Sequence, residues 1–184
     1  TGQTIAVIGG GNTAMDSSRT ALRMGAKRVM LVYRRGEDEM PARREEIAHA
    51  KEEGVELLTL HNPVEYLGDE RGHVTAMRLQ RMELGEPDRS GRRSPVPVPD
   101  DITDVPVDLV VVAVGVTPNP LVPKSFAGLE ATGRGTIAVN EQTMQSSLPD
   151  TYAGGDIVRG GATVILAMGD GRAAADGMHR FLQQ

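Results

Sequence analysis

The feature that most constrains this chain is a short apolar run broken by three glycines: Thr4-Ile5-Ala6-Val7-Ile8, then Gly9-Gly10-Gly11, then a stretch rich in small residues. An apolar run of this length ended by glycine reads as a buried strand entering a tight turn. From Thr13 to Met24, the residues Ala14, Met15, Ser18, Ala21, Leu22 and Met24 form a small-residue helical face, and Gly25 is a natural stop. Val29 to Tyr33 supplies a second apolar strand, closing β-α-β within about the 30 residues such a unit takes. The head of the chain is thereby committed to an α/β architecture with parallel strands.

Past Arg34-Arg35-Gly36, the charge-dense stretch Glu37 to Glu53 carries Met40, Ile47, Ala48 and Ala50 at partly helical spacing, with Pro41 placed for a first helical turn. It predicts a solvated crossover helix ended by Gly54, with a third strand over 55–60. Strand-like runs at 64–67 and 74–84, separated by Gly68-Asp69-Glu70-Arg71-Gly72, predict an antiparallel meander. Residues 85–106 hold Pro87, Pro95, Pro97, Pro99 and Pro106 among charges and glycines, the composition of a long hairpin tip or mobile loop. The most apolar run, 108–114, ends at Gly115 and predicts a central parallel strand. A strand at 136–139, the turn Gly154-Gly155-Asp156 and a small-residue helix from about Thr163 to Leu182 follow. The expected division is a nucleotide-binding domain over 1–120 and a second segment over 121–184.

Composition narrows the chemistry. The 184 residues include no cysteine, so they hold no disulfide, no thiolate metal or iron-sulfur site and no redox dithiol; any redox chemistry must come from a bound cofactor. With 20 basic against 25 acidic side chains and five aromatics, the chain lacks the basic stripe and stacking platform of a nucleic-acid binder. No apolar run approaches the roughly 18–20 residues that span a bilayer, and the start has no signal-peptide pattern, so a cytoplasmic protein without membrane partners is expected. The chain opens Thr1-Gly2-Gln3 without an initiator methionine, which reads as a piece of a longer protein.

Gly9-Gly10-Gly11-Asn12-Thr13-Ala14 fits G-x-G-x-x-A between strand and helix. The first glycine permits the turn, the central one lets a pyrophosphate approach the backbone, and the small last position allows close helix–strand packing. The helix N-terminus offers unpaired amides and positive partial charge. Asp16 is expected in the first helical turn, complementing that dipole. At the end of the second strand, where an NAD-preferring fold places an acid for the ribose hydroxyls, Arg34-Arg35 reverses the charge and favours the 2′-phosphate of NADPH. The alternative for this pair is a basic surface turn paired with Glu37, Asp38 or Glu39. Arg43 is a further candidate for the same pocket.

The strings GGGNTAMD and YRRGEDEMPARREEIAHAKEEGV resemble the small subunit of NADPH-dependent glutamate synthase and its relatives, including the flavin half of dihydropyrimidine dehydrogenase. DLVVVAVGVTPN and TYAGGDIVRGGATVILAMGDGRAAADGM are similar to the returning strand of the NADPH domain and the closing FAD motif of that family. The resemblance implies a Rossmann-like three-layer dinucleotide-binding fold of the FAD/NAD(P)-binding superfamily, a parallel sheet with an antiparallel β-meander. It makes residues 121–184 the C-terminal segment of an incomplete FAD-binding domain. It further implies that Gly9, Gly10, Gly11, Asn12, Thr13, Ala14, Arg34, Arg35, Arg43 and Gly115 serve NADPH, and that Gly155, Asp156, Thr163 and Val164 serve FAD. Hydride would pass from NADPH to FAD, and electrons onward to iron-sulfur clusters and an electron-accepting partner such as the glutamate synthase large subunit.

No catalytic acid, base or nucleophile is expected. His49, His61, His73 and His179 are too scattered for a metal set, and Ser17, Ser18, Ser90 and Ser94 lie in no nucleophile elbow. Hydride transfer between two cofactors needs none. The competing readings are a pyridine-nucleotide-disulfide reductase fragment, whose cysteine pair would lie elsewhere, and a non-catalytic nucleotide-binding or redox-sensing module. A methyltransferase would place an acid near Arg34. Close packing against a cofactor or a neighbouring element is expected to explain the helical glycines 169, 171 and 177, each costly by roughly 1 kcal/mol.

Overall fold

A computed structural model describes residues 3–88 and 91–183; Thr1, Gly2 and Ser90 lie outside them. The chain divides into two compact units, residues 1–114 and 115–184.

In the first unit, β1 (Thr4–Ile8), β2 (Arg28–Tyr33), β3 (Glu56–Thr59) and β7 (Leu109–Val112) form a parallel sheet in the order β3-β2-β1-β7. The pleat sorts its residues. Ile5, Val7, Val29, Leu31 and Tyr33 pack with Ala14 and Met15 of helix α1 (Asn12–Arg23) and with Ile47 and Ala50 of helix α2 (Arg44–Glu52). Ala6, Ile8, Met30 and Val32 face the other way, against Met77, Leu79 and Val107. Both faces of β1 and β2 are therefore buried, which is why these strands are apolar throughout. The second face is covered by an antiparallel sheet of β4 (His61–Gly68), β5 (Val74–Pro87) and β6 (Arg93–Pro106), in that order, so the unit has the expected three layers.

In this unit four expectations need correction. The proline-rich 85–106 is a hairpin rather than a loop, its outer strand being the 14-residue β6. Because β6 is an edge strand, Pro95, Pro97 and Pro99 at alternate positions direct their missing donors to one side of it. Between the pairs Gln80–Ile102 and Met82–Pro97 the ladder slips, and the Gln80 amide closes the gap by donating to the carbonyls of Val98 (2.6 Å) and Asp101 (3.0 Å). Secondly, β7 is an edge strand, not a central one, with no strand beyond it among the described residues. Thirdly, the crossover 37–53 is not one helix: a 3-10 turn at Glu37–Glu39 is followed by extended backbone at Met40 and Arg43, and α2 begins only at Arg44. The amide of Ala42 is bonded to the Gly10 carbonyl (3.1 Å) and that of Arg43 to Asn12 Oδ1 (2.9 Å), which holds the segment out of the helix that Pro41 was expected to start. Lastly, Asp16 falls in the second turn of α1, whose first turn carries no acid.

The second unit has short helices α3 (Leu121–Ser125) and α4 (Asp156–Arg159), and one long helix, α5 (Val164–Leu182). In place of the expected strand at 136–139 there are isolated bridges, Ala131–Ile137, Val139–Ser146 and Gln145–Tyr152. Of the helical glycines, Gly177 is explained by packing: a Cβ there would lie 2.5 Å from the Thr143 carbonyl oxygen. Among the described residues, Gly169 and Gly171 meet nothing that would exclude a side chain. Among the described residues, no helix is long and apolar enough to cross a membrane.

Candidate nucleotide-binding site

The glycine turn sits at the carboxyl end of the parallel sheet, between β1 and α1. Gly9 has φ +143° and a Cβ would stand 2.3 Å from the Ala113 carbonyl oxygen. At Gly10 a Cβ would enter the Tyr33 ring at 2.6 Å, and that ring is itself fixed by its hydroxyl, which donates to the Glu39 carbonyl (2.9 Å). At Gly11, by contrast, nothing lies within 4 Å of a Cβ position. The first two glycines are thus demanded by the protein's own packing, and the third leaves open space in front of α1.

Gly11 is the N-cap of α1 and caps no amide with a side chain, so the first helical amides face outward with the positive end of the helix dipole. Asn12 and Thr13 are exposed at this end, while Ala14 is fully buried against β1 and closes the helix–strand contact. Asn12 is occupied: its Oδ1 accepts the Arg43 amide, so its side chain tethers the start of α2 to the turn. That tether, with the Ala42–Gly10 bond, brings the Arg43 backbone to the mouth of the site. The Arg43 side chain is largely exposed and reaches Glu46 (3.2 Å).

The two arginines after β2 part company. Arg34 is exposed, with no partner among the described residues. Arg35 is buried, its Nη2 bonded to Asp88 Oδ2 (2.7 Å) and its Nε donating to the Arg93 carbonyl (2.8 Å). Neither pairs with the nearby acids, because Glu37 is held by Lys51 (2.6 Å) and Asp38 by Arg44 (3.4 Å).

A cleft of about 400 Å3 lies elsewhere, along the flank of α1 beside β7, lined by Ile5, Asp16, Thr20, Ala21, Met24 and Leu109. Its walls are apolar and converge on no set of polar groups. It is an uncovered flank of the sheet, and the glycine turn remains the better site on chemistry.

In the second unit, Gly155 has φ +75°, and Gly154 is packed so closely on α5 that a Cβ would lie 2.7 Å from the Asp170 Cβ. Sequence reasoning missed Asp170. Its carboxylate, 2% exposed, accepts the Gly155 amide (2.9 Å) and two bonds from Arg159 (2.7 and 2.5 Å). The Arg159 bonds, and then the Gly155 amide, hold the Asp170 carboxyl below the usual carboxylate range. An aspartate in a helix beside glycines was the available signal. Asp156 is exposed and its Oδ1 accepts the Ala162 amide (3.2 Å). Thr163 is the N-cap of α5, accepting the Leu166 amide (3.4 Å), and Val164 stands exposed beside it. Gly115, at the start of the unit, has φ +89° and is exposed. Among the described residues, no group of three His, Cys, Asp or Glu side chains could hold a metal ion.

The model of the pyridine nucleotide-disulphide oxidoreductase family matches residues 1–171. The chain belongs to that family. It is 45% identical over its full length to the NADP(+)-dependent formate dehydrogenase subunit beta of Moorella thermoacetica, of which it spans 26%. It is 42% identical over 98% of its length to the glutamate synthase [NADPH] small chain of Halomonas elongata, of which it spans 39%. Among solved structures, thioredoxin reductase of T. acidophilum superposes with a TM-score of 0.78 over 98% of this chain and 53% of its own, at 21% identity. The fold and the resemblance to glutamate synthase small subunits are thereby established, and the curated relatives named here are oxidoreductases more than twice as long as this chain. The disulphide of the family's name has no counterpart in these 184 cysteine-free residues.

Proposed function

We propose that the chain is the NADPH-binding part of a flavin-dependent oxidoreductase resembling the glutamate synthase small subunit, with electrons leaving through iron-sulfur clusters to a partner subunit or domain. The observation that carries this reading is the glycine turn, packed solid behind Gly9 and Gly10 and open in front of Gly11 at an uncapped helix end. The residues present fit a dinucleotide. Outward amides of the turn and of Asn12 and Thr13 would bind the pyrophosphate, with no side-chain charge required. Ala14 keeps the helix end close to β1. Arg34, unpaired and exposed, would take the 2′-phosphate through charge-assisted bonds, and Arg43, held at the mouth by Asn12, would add a second cation.

NADPH supplies a hydride when bound and FAD accepts it, so this chain's residues need only bind, orient and exclude water. For the flavin, the support is the positive-φ Gly155 turn fixed by Asp170, the exposed Asp156 carboxylate, and the amides of α5 beginning at Thr163-Val164. Those amides would favour the negative charge that a flavin ring gathers on reduction.

Calorimetric titration of the chain with NADPH and with NADH tests the reading. At least tenfold tighter NADPH, a difference of about 1.4 kcal/mol, is expected. Equal affinities would remove the 2′-phosphate role, and heat from neither nucleotide would contradict the site.

A further inference from the structure

Asp88, which follows β5, is joined to the end of β2 by a part-buried charge pair with the buried Arg35 that the nucleotide site does not explain. Arg35 follows Arg34 directly but points the other way: its side chain is 8% exposed, against the exposed Arg34. Its two observed bonds both go to the hairpin, one to the Asp88 carboxylate on the ascending side and one to the Arg93 carbonyl on the returning side. The hairpin is cross-tied around them. Arg93 donates to the carbonyls of Leu84 (2.5 Å) and Gly85 (3.2 Å), and the Asp88 amide donates to the Arg92 carbonyl (2.7 Å). On the backbone side, the Arg35 carbonyl accepts the Leu60 amide (3.0 Å), and the Leu60 carbonyl accepts that of Met82 in β5 (2.8 Å). The backbone of Arg35, next to Arg34, is therefore clamped from two directions by the meander.

We infer that the contact of Arg35 with Asp88 and Arg93 is part of the nucleotide-selectivity apparatus: Arg35 is a positioning residue that fixes the strand end carrying Arg34, rather than a second ligand for the phosphate. This rests on the 2′-phosphate reading given above. A buried cation bonded to a carboxylate and a carbonyl is already neutralised, and turning it toward an exposed anion would break both of those bonds. A bond to a planar, charge-assisted fork also fixes direction, which an ammonium would not.

The two roles give opposite signs for Asp88→Asn. If Arg35 positions Arg34, weakening the clamp lowers the NADPH-to-NADH affinity ratio by roughly three- to tenfold, and Asp88→Glu restores most of it. If Arg35 were a phosphate ligand held in reserve, Asp88→Asn would release it and the ratio would rise. The positioning role further requires that the losses in Arg35→Ala and Asp88→Asn do not add in the double variant, because both remove the Arg35–Asp88 bond. A thermal melt of each variant, read beside the titrations, separates this from general destabilisation, which weakens both nucleotides together. A raised ratio in Asp88→Asn, an unchanged one, or losses that add in the double variant overturn the inference. Arg34→Ala tells the two failures apart. If it leaves the ratio intact, the 2′-phosphate reading falls and the inference with it; if it collapses the ratio while Asp88→Asn does not, only the inference falls.

Discussion

Residues 3–114 bury apolar side chains on both faces of a sheet, whereas in residues 115–183 the buried hydrophobics are Leu129, Ile137, Met144 and Ala174. The long helix of the second unit exposes Val164, Ile165, Met168 and Leu182, each by more than 60%. What holds its glycine turn instead is polar, the Asp170 carboxylate clasping Arg159 and the Gly155 amide. The difference teaches that a glycine-rich turn can be fixed in two ways. In the first unit, backbone and an aromatic ring fill the space behind the glycines; in the second, α5 packs on Gly154 and one buried carboxylate bonds the Gly155 amide.

The largest effect expected from this contrast is in the sheet. Met30→Ala, at a fully buried position between the sheet and the meander, should cost about 2–5 kcal/mol in denaturant unfolding. Ile165→Ala, at 80% exposure, should stay within about 0.5 kcal/mol by the same assay, and a comparable loss there would break the comparison. Next in size is Gly9→Ala. Its Cβ clash with the Ala113 carbonyl and its positive φ should destabilise the first unit by about 1–3 kcal/mol and abolish NADPH binding, checked by melt and titration. Arg34→Ala follows, an exposed charge-assisted contact whose loss should weaken NADPH by about 1–2 kcal/mol after solvent screening, with a smaller change for NADH.

The chain's own order of elements was readable where burial on both faces left no room for polar residues, as in β1 and β2, and where glycine marked the turn. It was not readable in β6, because prolines that spoil a central strand are harmless at alternate positions of an edge. Arg35 reads from sequence as a phosphate ligand beside Arg34, or as part of a basic surface turn, because its partner, Asp88, is 53 residues away and the contact exists only once the meander has folded over the sheet. The crossover failed as a single helix for a similar reason: bonds to Gly10 and Asn12, absent from any local pattern, outweigh the helical preference around Pro41. In the candidate site, the turn was legible and the contrast between the exposed Arg34 and the buried, bonded Arg35 was not.

Acid sharpens the contrast with the smallest effect. The Asp170 carboxyl is held below its ordinary value of 3.8, chiefly by the bonds from Arg159. A group depressed in the folded state stabilises it above the unfolded value and loses that contribution as pH falls toward the folded one. As pH falls below about 4, amide exchange in α5 and the Gly154-Gly155 turn should therefore accelerate before that of β1 and β2. In the first unit, Glu53 is lowered to about 2 by the hydrogen bonds of Arg23 and then Arg19, so the α1–α2 tie weakens over the same range without touching the sheet. Equal exchange in both units across that range would contradict the polar-clasp account.

The most direct test of the account is to follow backbone amide resonances of the labelled chain while NADPH is added. The prediction is saturable shifts at Gly9, Gly10, Gly11, Asn12, Thr13 and Arg34, with NADH reproducing those of the turn but not that of Arg34. Shifts confined to the α1–β7 cleft around Asp16, Thr20 and Leu109, or none at the glycine turn, would contradict it.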